Sequence, residues 1–192
     1  MKDLIKMAVV LTFISALAGF LLAVTYRVTK EPIAAAKQAE KLEALKKVLP
    51  EYDNDPATTV CVVEEAGRSW TFYVARRQGV FVGAAFESAS GQGYSGTIRI
   101  LAGVRQDNQV QGIEILEQAE TPGLGAKIAE TNFTYQFRGR PLAGTRWAVD
   151  KDGGDIDAIT GATISPRAVA AALKDGIAVY TQHVDRIAAT GK

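Results

Sequence analysis

Residues 7–24, MAVVLTFISALAGFLLAV, form a run of 18 residues without a charge, and no other feature constrains the fold of this chain as strongly. At about 1.5 Å of rise per residue, a helix of that length crosses most of a hydrocarbon layer roughly 30 Å thick. Lys6 precedes the run and Tyr26-Arg27 follows it, the aromatic ring suiting a membrane–water interface. A cleaved export signal would use Ala16-Leu17-Ala18 as its small-residue site, but residues 20–24 continue the apolar run beyond it. A buried core helix is disfavoured by the N-terminal position and the basic flanks. The residues therefore read as a single-pass anchor over 7–26, after a short N-terminus over 1–6. Charge leaves its orientation open. Lys2, Lys6 and the amino terminus favour a cytoplasmic start, whereas Arg27 and Lys30 stand just past the span.

The charges beyond the span narrow the partners. Residues 1–30 hold four basic residues and one acidic, a net of +3, while residues 31–192 hold 18 basic and 20 acidic, a net of −2. A slightly acidic domain without a basic block is ill suited to a phosphate backbone, so no nucleic acid partner is expected. Cys61 is the one cysteine and His183 the one histidine. That excludes an intramolecular disulfide and argues against thiolate clusters, structural zinc and a Cys–His dyad. No metal site is expected, and the chemistry should come from a group the chain binds.

The spacing predicts a helix over 31–49, with Pro32 in its first turn and Ala35, Leu42, Leu45 and Leu49 on one stripe. Pro50 ends it and 51–56 is a polar turn, so 27–56 reads as a stalk helix and linker. Five runs rich in β-branched and aromatic residues follow at 59–63, 70–76, 80–86, 97–104 and 110–116, with Asp107-Asn108 as a hairpin turn. The tail, 165–187, spaces Val169, Leu173, Ile177, Tyr180, Val184 and Ile187 three or four apart, as one buried helix face requires. Trp70, Trp147 and Cys61 read as core, and His183 as a solvated or packing residue. The fold class is α+β: an N-terminal transmembrane helix, then one domain over 57–192 with a mainly antiparallel sheet and a C-terminal helix.

Three glycine-containing segments are candidates for chemistry. Gly91-Gln92-Gly93-Tyr94-Ser95-Gly96 matches G-x-G-x-x-G but leads into a strand, not a helix, and so reads as a loop rather than a dinucleotide site. Glu120-Thr121-Pro122-Gly123-Leu124-Gly125 allows tight backbone geometry after the fifth strand. Asp157-Ala158-Ile159-Thr160-Gly161-Ala162-Thr163 is followed by Ile164-Ser165-Pro166, with Ser165 a plausible N-cap and Pro166 a good first helical residue. A helix N-terminus there suits a phosphate, and Gly161 and Ala162 keep the approach to the Thr163 hydroxyl open.

Residues 157–163 resemble the flavinylation motif D-x-x-[ST]-G-A-[ST] of the bacterial FMN-binding domain family, and residues 120–125 resemble that family's E-T-P-G-L-G segment. The likeness runs from about Gly91 to the end of the sequence, and the N-terminal span and the length extend it to the whole chain. Within the family the chain looks like the G subunits of Rnf electron-transport complexes. The C subunit of the sodium-pumping NADH:quinone reductase, usually longer, is the alternative, and a membrane-tethered binding or assembly protein without flavin is the rival of another class. The resemblance implies covalent FMN, joined by a phosphoester to Thr163 through a dedicated flavin transferase. It implies Glu120, Thr121, Gly123 and Leu124 near the flavin, with Asp157 and Thr160 shaping the turn or read by the transferase, and no catalytic residue. It also implies electron relay among the other redox subunits of the complex, and a bacterial inner-membrane location with the FMN domain on the periplasmic or extracellular side. One departure stands out: Gln118 occupies a position where the family often has His.

Overall fold

The computed structural model describes residues 1–65 and 67–191. They divide into two compact units, residues 1–41 and 42–192.

Helix α1 runs without a break through Lys2–Val48, with Pro32 inside it. The proline does not start a second helix. It removes one amide from the ladder, that which would bond the Val28 carbonyl, while the alanines, lysines, glutamates and leucines around it favour helix strongly. Thr25 and Thr29 turn their hydroxyls back onto the carbonyls four residues earlier, at 2.9 and 2.8 Å, and so stay compatible with the helix. In the first unit this helix carries an 18-residue window of mean hydropathy 2.5, none of it buried, and is long and apolar enough to cross a bilayer.

The second unit is built on five strands, β1 (Val60–Glu65), β2 (Arg68–Arg77), β3 (Val80–Ser90), β4 (Ile98–Arg105) and β5 (Val110–Glu117). They pair in sequence order, every pair antiparallel. The β4–β5 hairpin turns through Asn108 at φ +59°, a residue type that tolerates this region. Both faces of the sheet are covered, which is why β2 and β3 read as nearly continuous apolar runs. On one face Tyr73, Ala75, Ala85 and Leu101 pack with Ala44, Leu45, Val48 and Leu49, the last turns of α1 and the residue after it. Of the expected stripe, Leu45 and Leu49 are buried, whereas Ala35 and Leu42 are exposed. Gly103 makes this contact possible, since a Cβ there would lie 1.7 Å from the Val48 carbonyl oxygen.

On the other face lies the main core, where Phe72, Val74, Phe86, Ile98, Ile100 and Val104 meet the long helix α3 (Ile164–Ala189). A short helix α2 (Thr131–Thr134) and neighbouring 3₁₀ turns add Ile128, Phe133 and Phe137 to the same core. Trp70, Trp147 and Cys61 belong to it too. Gly176 lets α3 sit directly on the aromatic core, because a Cβ would fall 1.9 Å from the Phe86 ring.

Helix α3 is fastened at both ends by buried polar side chains. At its C-terminus, Arg76 donates to the Thr190 carbonyl at 3.0 and 2.8 Å, to the Ala188 carbonyl, and to Gly79 O at 2.8 Å. The guanidinium thus satisfies carbonyls at the negative end of the helix. At the N-terminus the cap residue is Thr163, not Ser165, and its side chain makes no capping bond. Ser165 already lies inside the helix, is 1% exposed, and donates its hydroxyl proton to the carboxylate of Glu120.

Two stability effects follow. Gly176→Ala gains about 1 kcal/mol of helix propensity but overpacks against Phe86 at the upper end of the usual cost, about 3 kcal/mol. The net loss is therefore about 2 kcal/mol, measurable as a lowered Tm of the detergent-solubilised chain. Arg76→Met leaves the part-buried Ala188 and Thr190 carbonyls without this donor and lowers stability by about 2 kcal/mol in the same assay.

Candidate functional site

Three connections meet at the N-terminal end of α3: the β3–β4 loop, the segment after β5, and the chain over 149–163. Glu120 ties the first two to the first turn of α3. It is 5% exposed. One carboxylate oxygen accepts the Ser95 N–H at 3.0 Å and the other accepts the Ser165 hydroxyl. Its own amide donates to the Gln118 side-chain oxygen at 2.6 Å. Gln118, at the position where the family often has His, thus closes a local turn that aims Glu120 inward. The glycines of two motifs have their reason here. A Cβ at Gly93 would lie 2.9 Å from one Glu120 oxygen, and a Cβ at Gly125 would lie 2.7 Å from the other.

Two tight turns face each other beside this carboxylate. In Thr121-Pro122-Gly123-Leu124 the Leu124 amide donates to the Thr121 carbonyl at 3.1 Å, with Gly123 at φ +76°. In Ile159-Thr160-Gly161-Ala162 the Ala162 amide donates to the Ile159 carbonyl at 3.0 Å, with Gly161 at φ +81°. In both, the third position needs positive φ, and in the first proline presets the second. The turns come within contact, as a Cβ on Gly161 would be 3.6 Å from Leu124 Cδ2.

The approach to Thr163 is held by the preceding loop. Val149 and Ile156 form a parallel bridge, and Gly154 passes so close to Ala148 that a Cβ would meet its carbonyl oxygen at 1.9 Å. The Gln136 amide takes the Asp157 N–H at 2.7 Å, holding the start of the motif by its main chain. Asp152 pairs with Arg167 on the first turn of α3, with oxygen–nitrogen contacts of 2.5 and 2.7 Å. The guanidinium hydrogen bond holds the Asp152 carboxyl below its ordinary range. Arg146 does the same for Asp155. Between these fixed points the 3₁₀ turn Asp150–Asp152 carries Lys151, whose ammonium donates to the Thr163 hydroxyl at 3.0 Å.

The result is a cleft of about 590 Å³ lined by Tyr94, Glu120, Thr121, Leu124, Gly125, Lys151 and residues 161–165. That lies within the roughly 300–1,000 Å³ of small-molecule sites. Of the residues expected at a site from sequence, Glu120, Thr121, Leu124, Gly161, Ala162 and Thr163 line it. Gly123, Asp157 and Thr160 do not, and all three are exposed. Lys151 and Ser165 were not expected in it; a lone lysine 12 residues before Thr163 carries no sequence signal. Chemically, the cleft offers a half-buried hydroxyl at the positive end of a helix, beside a cation. Glu120 is the one carboxylate among the described lining residues, and both its oxygens are engaged. Among the described residues that line the cleft, no free acid–base pair stands beside Thr163.

Comparison with known proteins follows the same division. Residues 93–178 match the family model of the FMN-binding domain, and residues 1–48 match that of the RnfG N-terminal region. The G subunit of the ion-translocating oxidoreductase complex of Aliivibrio fischeri is 36% identical, with 95% of this chain and 92% of that protein aligned. The protein of the same name from Vibrio cholerae is 33% identical over 95% and 92%, and that from Cereibacter sphaeroides 37% over 88% and 80%. Among solved structures, Shewanella oneidensis NqrC superposes with a TM-score of 0.53 at 19% identity, covering 67% of this chain and 69% of that one. The C subunit of the Na(+)-translocating NADH-quinone reductase from Parabacteroides distasonis gives 0.50 at 24%, covering 59% and 62%. These two likenesses are of fold. A helix fit to cross a membrane, an FMN-binding domain and identity along nearly the whole length coincide, and the chain belongs to the family of G subunits of ion-translocating oxidoreductase complexes.

Proposed function

We propose that this protein is the electron-carrying subunit of a membrane-bound Rnf-type ferredoxin:NAD oxidoreductase, holding FMN by a phosphoester to Thr163. The observation that carries the reading is the placement of the Thr163 hydroxyl. It stands on the wall of the cleft, at a helix start with no side-chain cap, and within hydrogen-bond distance of Lys151. The first-turn amides of such a helix have no carbonyl partners inside it and favour a negative group.

The residues present fit this cofactor. Gly161 and Ala162 leave the hydroxyl accessible, Leu124 and Ile164 supply exposed apolar surface at the cleft, and Tyr94 adds an aromatic ring. When bound, the flavin supplies the one- and two-electron chemistry that the side chains lack. The chain's own residues position and hold. Glu120 keeps the β3–β4 loop, the segment after β5 and the first turn of α3 together, the two glycine turns shape the floor, and Asp157 and Thr160 remain outside, free for recognition by a flavin transferase. With no unengaged acid–base pair at Thr163, attachment calls for such an enzyme in trans.

The family reading extends to the assembly. The partners are the other membrane and redox subunits of the complex, with lipid around residues 7–26, and electron flow is coupled to ion translocation. The domain lies on the periplasmic or extracellular side of the inner membrane, with residues 1–6 in the cytoplasm. The equivalent role in a Na⁺-translocating NADH:quinone reductase is the second reading. It is weaker because the likeness to that protein is 19–24% over part of the chain, against 33–37% over most of it for the G subunits.

The full chain, co-expressed with a flavin transferase, should show flavin fluorescence that stays with the denatured band. Thr163→Ala should abolish it, and Thr163→Ser, which keeps a hydroxyl at the same place, should retain it. Covalent fluorescence persisting in Thr163→Ala would refute the attachment site.

A further inference from the structure

We propose that Lys151 is the phosphate-binding residue of this site, a role that rests on the reading of the cleft as a flavin site and adds a residue to it. Among the described lining residues Lys151 is the one cation. It is held there by its surroundings rather than by chance of a long side chain. Asp150 Oδ1 accepts the Lys151 and Ala158 amides at 2.8 and 3.2 Å, closing the 3₁₀ turn on the approach to the motif. On the other side, Asp152 is stapled by Arg167 to the first turn of the helix that starts at Thr163.

Both flanking carboxylates are therefore committed elsewhere, Asp150 to main-chain amides and Asp152 to Arg167. Among the described residues the Lys151 ammonium has the Thr163 hydroxyl as its hydrogen-bond acceptor. A lysine ammonium has three protons to donate, and a neutral hydroxyl is a weak destination for a full positive charge. A phosphate esterified to Thr163 would place its free oxygens two bonds from the present acceptor, inside the reach of the same ammonium. The contact would then become charge-assisted, with the helix amides sharing the anion. Lysine serves here as a point charge rather than a fork, so arginine can replace it in part.

The test separates phosphate from flavin ring. The full chain, made without a transferase and held in detergent, is titrated with FMN and with riboflavin, which lacks the phosphate, and flavin fluorescence is followed. Wild type should prefer FMN. Lys151→Gln should weaken FMN binding about tenfold, the loss of one charged hydrogen bond, and leave riboflavin binding unchanged. Lys151→Arg should keep most of the preference. Equal FMN affinity in Lys151→Gln and wild type, equal loss of both flavins, or a wild type with no preference for FMN would each overturn the role of Lys151. The attachment reading is judged separately, by whether the co-expressed wild type gains covalent flavin that Thr163→Ala lacks.

Discussion

The buried carboxylate of Glu120 is the constraint around which the candidate site is arranged. It accepts the Ser95 amide and the Ser165 hydroxyl, and so ties the β3–β4 loop, the segment after β5 and the first turn of α3 to one point. A carboxylate 5% exposed is tolerable only when its lone pairs are occupied. Its demands propagate outward. A Cβ at Gly93 would meet the Gly96 carbonyl and then Glu120, and one at Gly125 would meet the Ser165 hydroxyl and then Glu120, so the carboxylate helps keep both positions free of a side chain. Arg76 performs the matching task at the far end of α3, so the helix that presents Thr163 is held at both termini by charged groups and along its length by the Gly176–Phe86 contact.

Much of this was legible in the sequence, for identifiable reasons. The strands announced themselves by β-branched and aromatic runs, and the tail helix by apolar residues three and four apart. Where the reading fell short, one local rule had been overruled by a partner distant in the chain. β3 extends to Ser90, past the expected end at Phe86, because Ser88 and Ser90 pair with Ile100 and Ile98 although their side chains look like a loop. Pro32 signalled a helix start but lies within one continuous helix, its lost hydrogen bond outweighed by strong helix formers on both sides. Ser165 looked like a cap, but the helix starts earlier, with Thr163 at the cap, and the Ser165 hydroxyl bonds Glu120, 45 residues away. Lys151 was invisible for the same kind of reason: only the folded 149–163 loop brings it to Thr163.

The site itself divides in the same way. Glu120, Thr121, Leu124, Gly161, Ala162 and Thr163 came from two motifs, and the fold brings both motifs to one cleft. The motifs do not, however, contribute uniformly. Glu120 is an internal brace, Gly123 shapes a turn from outside the cleft, and Asp157 is held by its main chain through Gln136 while its side chain faces solvent. A motif thus mixes residues that line the cleft with residues that build the wall behind them. Membership of the G-subunit family supplies the setting, an ion-translocating oxidoreductase complex, and the cleft is the place proposed for FMN.

The central claim is that the flavin phosphate is esterified to one particular hydroxyl of three that lie close together in sequence, Thr160, Thr163 and Ser165. Cleavage after Lys151 and Arg167 releases residues 152–167 with all three on one peptide. Tandem mass spectrometry of that peptide from the co-expressed, flavin-loaded chain is the most direct test. Fragment ions that place the added FMN on Thr163, with Thr160 and Ser165 unmodified, are the expected result. Flavin on Thr160 or Ser165, or a peptide of unmodified mass from a chain exposed to an active transferase, would contradict the account.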